Sequence, residues 1–191
     1  YRPIIGLART IFAAQGLKFT IRGAENIPAE GGAVIAVNHT GYMDFTYAGI
    51  PVREVKRYIR FMAKKEVFDN KISGPIMRSL KHIPVDRKQG EAAYEHALRS
   101  LRAGEIVGVF PEATISQSFT LKSFKSGAAR MAQEAGVPLI PMAVWGTQRL
   151  WTKGRERRIF QRHVPITILV GEPIHPKRGE DVAEHTTALH A

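Results

Sequence analysis

The sequence predicts an α/β fold, a mostly parallel central sheet of about seven strands covered by helices on both faces. Three observations carry this. Short β-branched apolar runs, among them Ala33–Val37, Glu105–Phe110 and Val164–Val170, recur along the chain, and strands buried on both faces read as such continuous runs. Amphipathic stretches of helical period, such as Glu91–Leu101, lie between them, and strands that alternate with helices form parallel sheets. With 191 residues and 44% hydrophobic content, the chain is long enough for one layered domain and too apolar to be disordered.

The elements follow in order. Pro3–Ala14 reads as a helix with proline in its first turn. Ile4, Leu7, Ala8, Ile11 and Phe12 form one stripe and Arg9 lies off it. Residues 1–16 are therefore an amphipathic segment that faces either the core or a membrane, because periodicity does not say what an apolar face meets. Leu17–Arg22 alternates as an edge strand does, and Ala33–Val37, brief and preceded by Gly31-Gly32, is a buried strand. Phe45–Ile50 reads as a short helix stopped by Pro51. Tyr58–Ala63 is a strand ending in Lys64-Lys65-Glu66, Ser73-Gly74-Pro75 opens a short helix, and Leu80–Val85 is a strand leading into Asp86-Arg87.

Glu91–Leu101 is a helix closed by Gly104, and Glu105–Phe110 a strand that ends in Pro111-Glu112-Ala113-Thr114. Phe124–Ala135 is a helix stopped by Gly136, and Val137–Trp145 a strand interrupted by Pro138 and Pro141. Thr147–Arg162 carries six Arg or Lys and reads as an exposed basic helix or loop. Val164–Val170 is the last strand, and the tail from His175 is polar and poorly patterned. There is no internal repeat and no linker, so residues 1–191 read as a single domain. The chain starts at Tyr1, and its native ends are expected to lie beyond it.

Composition excludes several chemistries. Without cysteine there is no disulfide framework, thiol nucleophile or thiolate metal site. No run approaches the roughly 18 apolar residues of a spanning helix. Lys and Arg number 28 against 17 Asp and Glu, a net charge of +11, which attracts nucleic acid, anionic lipid, phosphorylated cofactors or an acidic carrier protein. No His-x3-His or carboxylate cluster suggests a metal.

The candidate chemistry lies at the end of the first buried strand, in Asn38-His39-Thr40-Gly41-Tyr42-Met43-Asp44. Five positions along a helix turn through about 500°, and an odd offset on a strand reverses the face, so His39 and Asp44 meet only if the chain bends between them. Gly41 tolerates that bend. Asp44 then starts the next helix, a favourable place for a carboxylate. So paired, it fixes the imidazole tautomer and leaves the other ring nitrogen as a general base. His175 and Glu180 share the same offset without other support. Lys65, Arg87 and Glu112 also stand just past apolar runs, where the crevice of an open α/β sheet lies.

Five blocks in order, Asn38-His39-x4-Asp44, Lys65-Glu66, Ile83-Pro84-Val85-Asp86-Arg87, Phe110-Pro111-Glu112-Ala113-Thr114 and Leu139-Ile140-Pro141-Met142-Ala143, resemble the glycerophospholipid acyltransferases, and among them the 1-acylglycerol-3-phosphate acyltransferases. The likeness spans about residues 18 to 145. It implies that His39 and Asp44 are the catalytic pair and that Lys65, Arg87, Glu112, Ala113 and Thr114 bind the acceptor. The family pattern Phe-Pro-Glu-Gly-Thr-Arg-Ser is altered here: Ala113 replaces its glycine and Ile115 its arginine. Alanine is expected to keep the turn at ordinary dihedrals. Ile115 offers no donor to a phosphate, which leaves Lys65, Arg87 and Lys122 or Lys125 for a head group.

The resemblance implies transfer of an acyl group from acyl-CoA, or from an acyl carrier protein thioester, to the hydroxyl of a lysophospholipid. No bound cofactor is required, and the expected location is peripheral, on the anionic cytoplasmic face of a membrane. Another lysophospholipid, a glycolipid or a monoacylglycerol is the alternative acceptor. A basic nucleic-acid-binding module is the alternative of another class, but zinc spacing, RNP-type aromatics and a Gly-x-x-Gly clamp are all lacking, so nucleic acid is not expected as a partner.

Overall fold

The computed structural model describes residues 2–86 and 88–189, apart from the side chains of Arg2 and Pro3. Arg87, an expected anion ligand, lies outside the described residues. Seven strands form one sheet: β1 (Lys18–Arg22), β2 (Ala33–Val37), β3 (Ile59–Lys64), β4 (Ile83–Val85), β5 (Ile106–Val109), β6 (Leu139–Trp145) and β7 (Pro165–Val170). Their order is β1-β7-β6-β2-β5-β3-β4. The run from β6 to β4 is parallel, and β7 reverses against β6, carrying β1 with it.

The helices are α1 (Arg2–Ala14), α2 (Asp44–Glu54), α3 (Lys65–Asp69), α4 (Ser73–Ser79), α5 (Gly90–Arg102), α6 (Gly127–Ala135) and α7 (Val182–Ala188). The fully buried β2 shows why both faces need cover. Its Ala33, Ile35 and Val37 meet Phe12 of α1 and Tyr47, Ala48 and Val52 of α2 on one face. Val34 and Ala36 meet Ala97 and Leu98 of α5 and Ala129 and Ala132 of α6 on the other.

The chain leaves β2 towards the first face, through α2, and leaves β5 towards the second, through α6. These adjacent strands therefore open a crevice between their carboxyl ends.

Two expectations are corrected. Pro51 does not stop its helix but lies inside α2. It costs one backbone hydrogen bond, and burial of Tyr47, Ala48, Pro51 and Val52 carries the helix through the loss. Pro141 does not interrupt β6 either. Its carbonyl accepts from Gly171 N at 2.8 Å, so its missing N–H falls on the side where pairing with β7 ends at Met142 and Val170. The poorly patterned tail holds α7, which Asp181 caps by accepting from Ala183 N at 2.8 Å. The apolar stripe of α1 is divided: Phe12 is buried and Ala8 packs on the core, while Leu7 and Ile11 face outward.

Candidate active site

As β2 ends, Asn38 replaces the ladder with its side chain. Its Nδ2 donates to Val144 O at 3.1 Å and its Oδ1 accepts from Val144 N at 2.7 Å, tying the exit of β2 to β6. His39 follows at the crevice, and the next four residues turn the chain back to Asp44 at the first position of α2. The imidazole Nδ1 lies 3.0 Å from Asp44 Oδ2, so the bend expected at Gly41 is present. Glycine serves there by its size: an added Cβ would lie 2.8 Å from Thr147 Oγ1 and 3.1 Å from Trp151 O.

Asp44 is completely buried and fully engaged. Its Oδ2 also accepts from Thr40 N at 2.7 Å and Gly41 N at 2.9 Å, and Oδ1 accepts from the Thr147 hydroxyl. A carboxylate facing Nδ1 places the ring proton there and leaves Nε2 as the acceptor. No described residue engages Nε2. The ring stacks on Phe110 at 4.0 Å, and Phe110 stacks on Phe61 at 5.3 Å, which fixes the plane of the base.

Glu112, at the end of β5, holds the backbone of His39. Its Oε1 accepts from His39 N at 2.7 Å and its Oε2 from Lys122 N at 3.1 Å, while Ser116 N donates to His39 O at 2.7 Å. Both Glu112 oxygens are thus taken by backbone donors, and any contact with an acceptor comes in addition to these. Ala113 departs from expectation: its φ of 55° is left-handed, a conformation that alanine adopts at a cost of about 1–2 kcal/mol. It follows directly on the turn that Ala113 N closes by donating to Phe110 O at 3.0 Å. Ala113 and Thr114 are exposed at the crevice rim and Ile115 is buried.

Lys65, the first residue of α3, reaches Asp86 at 3.8 Å and is more than half exposed. The Lys122 ammonium lies 3.4 Å from Ile115 O. Glu180 pairs with His185 at 3.0 Å and leaves His175 aside.

An apolar groove of about 580 Å³ runs between α1, α2 and β3, lined by Ile5, Ala8, Phe12, Phe45, Ile50 and Phe61 among others. Neither His39 nor Asp44 lines it; Phe61, which stacks on Phe110 beneath the imidazole, links the groove to the dyad. Sequence reasoning missed Thr147 and Phe110. Thr147 has no motif of its own, and Phe110, which ends an apolar run and heads the Phe110–Thr114 block, carries no polar group to mark a role.

A buried carboxylate orienting an imidazole at the carboxyl edge of an α/β sheet, with an apolar groove linked to it, defines an enzyme suited to deprotonating a hydroxyl next to a hydrophobic chain. The acyltransferase family model matches residues 18–145. The chain is 34% identical over 177 residues to the 1-acyl-sn-glycerol-3-phosphate acyltransferase of Bacillus subtilis strain 168, covering 86% of this chain and 81% of that protein. It is 27% identical to the chloroplastic enzyme LPAT1 of Arabidopsis thaliana, where the match covers 85% of this chain and 45% of that one. The crystal structure of the 1-acyl-sn-glycerophosphate acyltransferase PlsC from Thermotoga maritima superposes with a TM-score of 0.76 at 27% identity, over 98% of this chain and 74% of that one. The chain belongs to the acyltransferase family, and its reaction class is O-acyl transfer.

Proposed function

We propose that the protein moves a fatty acyl group from an acyl thioester to the free hydroxyl of 1-acylglycerol-3-phosphate, forming phosphatidic acid. The observation that carries the mechanism is the buried, fully bonded Asp44 holding His39 at 3.0 Å. His39 Nε2 takes the hydroxyl proton as that oxygen attacks the thioester carbonyl. Asp44 keeps the tautomer and stabilises the imidazolium. The tetrahedral intermediate then collapses: the new ester bond remains, the C–S bond breaks, and the imidazolium returns its proton to the leaving thiolate. Direct transfer needs neither an enzyme nucleophile nor a bound cofactor.

Two features support sites for negative charge. A left-handed residue within a turn is the backbone form that makes anion-binding concavities, and after Ala113 the amides of Thr114 and Ile115 have no partner among the described residues. They suit the oxyanion. Lys122, at the carbonyl of Ile115, supplies the cation that Ile115 lacks, and Lys65, joined in the sequence pattern by Arg87, is a second source. The groove takes the fatty chain, since burying each CH₂ is worth about 0.8 kcal/mol.

The acyl donor is coenzyme A or an acidic carrier protein. The basic loop after β6 suits either, with Arg155 over Phe119 at 4.5 Å and Arg157 over Trp151 at 4.4 Å. Among the described residues no helix is long and apolar enough to cross a membrane. Large apolar side chains nevertheless stand exposed, Ile72 at 80% and Phe160 at 84%. With a charge of +11 they support a peripheral position on an anionic bilayer.

An acceptor screen with one labelled acyl-CoA tests the reading. Wild type is expected to prefer 1-acylglycerol-3-phosphate over monoacylglycerol and glycolipid. Lys122→Ala should raise the KM for the phosphorylated acceptor several-fold with little change in kcat. Preference for an uncharged acceptor overturns the assignment and points to Ile115 as the mark of a different substrate.

A further inference from the structure

The two oxygens of Asp44 are held very unequally. Oδ2 meets three donors, namely Thr40 N, Gly41 N and His39 Nδ1, all within six residues of one turn. Oδ1 meets one, the hydroxyl of Thr147, which is 103 positions away along the chain. A carboxylate anchored through one oxygen can still rotate about its Cβ–Cγ bond, and that rotation would swing Oδ2 off the line to the imidazole. A donor on the second oxygen prevents it.

Thr147 is placed for this purpose by local structure. It is completely buried and opens a short 3-10 turn, Thr147–Arg149, just after β6. Gly146 precedes it with a φ of 108°, where an added Cβ would lie 2.2 Å from Pro165 O. Only glycine permits so sharp an exit from the strand. On the other side, the missing Cβ of Gly41 makes room for the threonine hydroxyl. The same segment grips the turn after β2 twice more: Tyr42 N donates to Trp151 O at 3.0 Å, and Thr152 Oγ1 donates to Thr40 O at 2.6 Å. This segment lies beyond the residues matched by the family model.

We propose that Thr147 is a positioning residue of the acid–base pair: its buried hydroxyl locks the plane of Asp44 so that His39 presents Nε2 to the acceptor. The proposal rests on the acyl-transfer reading for its kinetic arm alone. The backbone role of Thr147, whose carbonyl accepts from Leu150 N at 2.9 Å and Trp151 N at 3.2 Å, is unaffected by side-chain replacement.

The test compares Thr147→Val and Thr147→Ser in the full chain, with an acyl-CoA and 1-acylglycerol-3-phosphate as substrates. Valine keeps the shape and removes the donor. A hydrogen bond to a charged group lost from the reacting arrangement lowers kcat by about 10- to 100-fold. KM should stay within about twofold, because substrate contacts are untouched, and serine should restore kcat to within about threefold of wild type. Valine at wild-type kcat, serine as slow as valine, or a loss confined to KM overturns the proposal.

The second readout needs no substrate. The His39 Nδ1 proton should give a downfield NMR resonance in wild type and in Thr147→Ser, and should shift or broaden in Thr147→Val. An unchanged resonance overturns the proposal whatever the enzyme's substrate. If wild type shows no turnover, the acyl-transfer reading fails by itself and the resonance still decides the role of Thr147.

Discussion

His82 shows how one side chain ties stability to pH. It is 7% exposed, and its Nδ1 accepts from Phe61 N at 2.9 Å, which requires a neutral ring. Burial pushes its pKa down to about 4. The unfolded chain, near the ordinary 6.5, binds a proton that the native state refuses. The contribution is therefore complete above about pH 6.5 and is lost as pH falls towards 4. Between pH 7 and 4.5 this loss amounts to about 2 kcal/mol. Denaturant unfolding of wild type and His82→Gln should show a pH-dependent decline shallower by that amount in the variant; equal slopes would contradict the assignment. Among the site residues, His39 and Asp44 were legible because only a bend reconciles their spacing with a shared contact. Thr147 was not, because a threonine at a strand end carries no sign of a partner 103 positions away. The left-handed Ala113 was missed for a related reason: residue type gives only a preference, and the observed φ of 55° departs from it.

At the level of elements, strands β3 and β5 meet through a gap that glycine leaves. Gly108 pairs with Phe61 across the ladder, and an added Cβ would lie 2.6 Å from both Ile59 Cγ2 and Phe61 Cε1. Phe61 in turn supports Phe110, and Phe110 the ring of His39. Gly108→Ala should cost about 1–3 kcal/mol of stability through overpacking, measured by denaturant melting, and should lower activity as well. Unchanged stability would mean that the aromatic stack yields without strain. The order of strands and helices was readable from the alternation of apolar runs with amphipathic stretches. Prolines misled, because their effect depends on where the missing N–H points. In α2 the packed face carries the helix past Pro51, and in β6 the lost donor of Pro141 falls where no partner strand remains. The cap at Asp181 was present in the sequence, but seven helical residues with a weak apolar pattern do not announce themselves.

For the whole molecule, the decisive fact is the sheet order. Because β2 and β5 are neighbours and exit to opposite faces, residues 73 positions apart, His39 and Glu112, join at one crevice. The reversed pair β7 and β1 lies on the far side of β6, while α1 and α2 wall the groove that Phe61 links to the dyad. No single motif could reveal that assembly, although His39, Lys65 and Glu112 all stand just past strands. Under the proposed function, this crevice brings an alcohol to a base held by Asp44, beside a thioester. The most direct test is release of free thiol from acyl-CoA with and without added 1-acylglycerol-3-phosphate, for wild type and His39→Ala. A positioned base contributes on the order of 10²–10⁴-fold. Release should therefore depend on the acceptor in wild type and fall by at least about a hundredfold in a folded His39→Ala protein. Acceptor-dependent release at the wild-type rate in that variant would contradict the account.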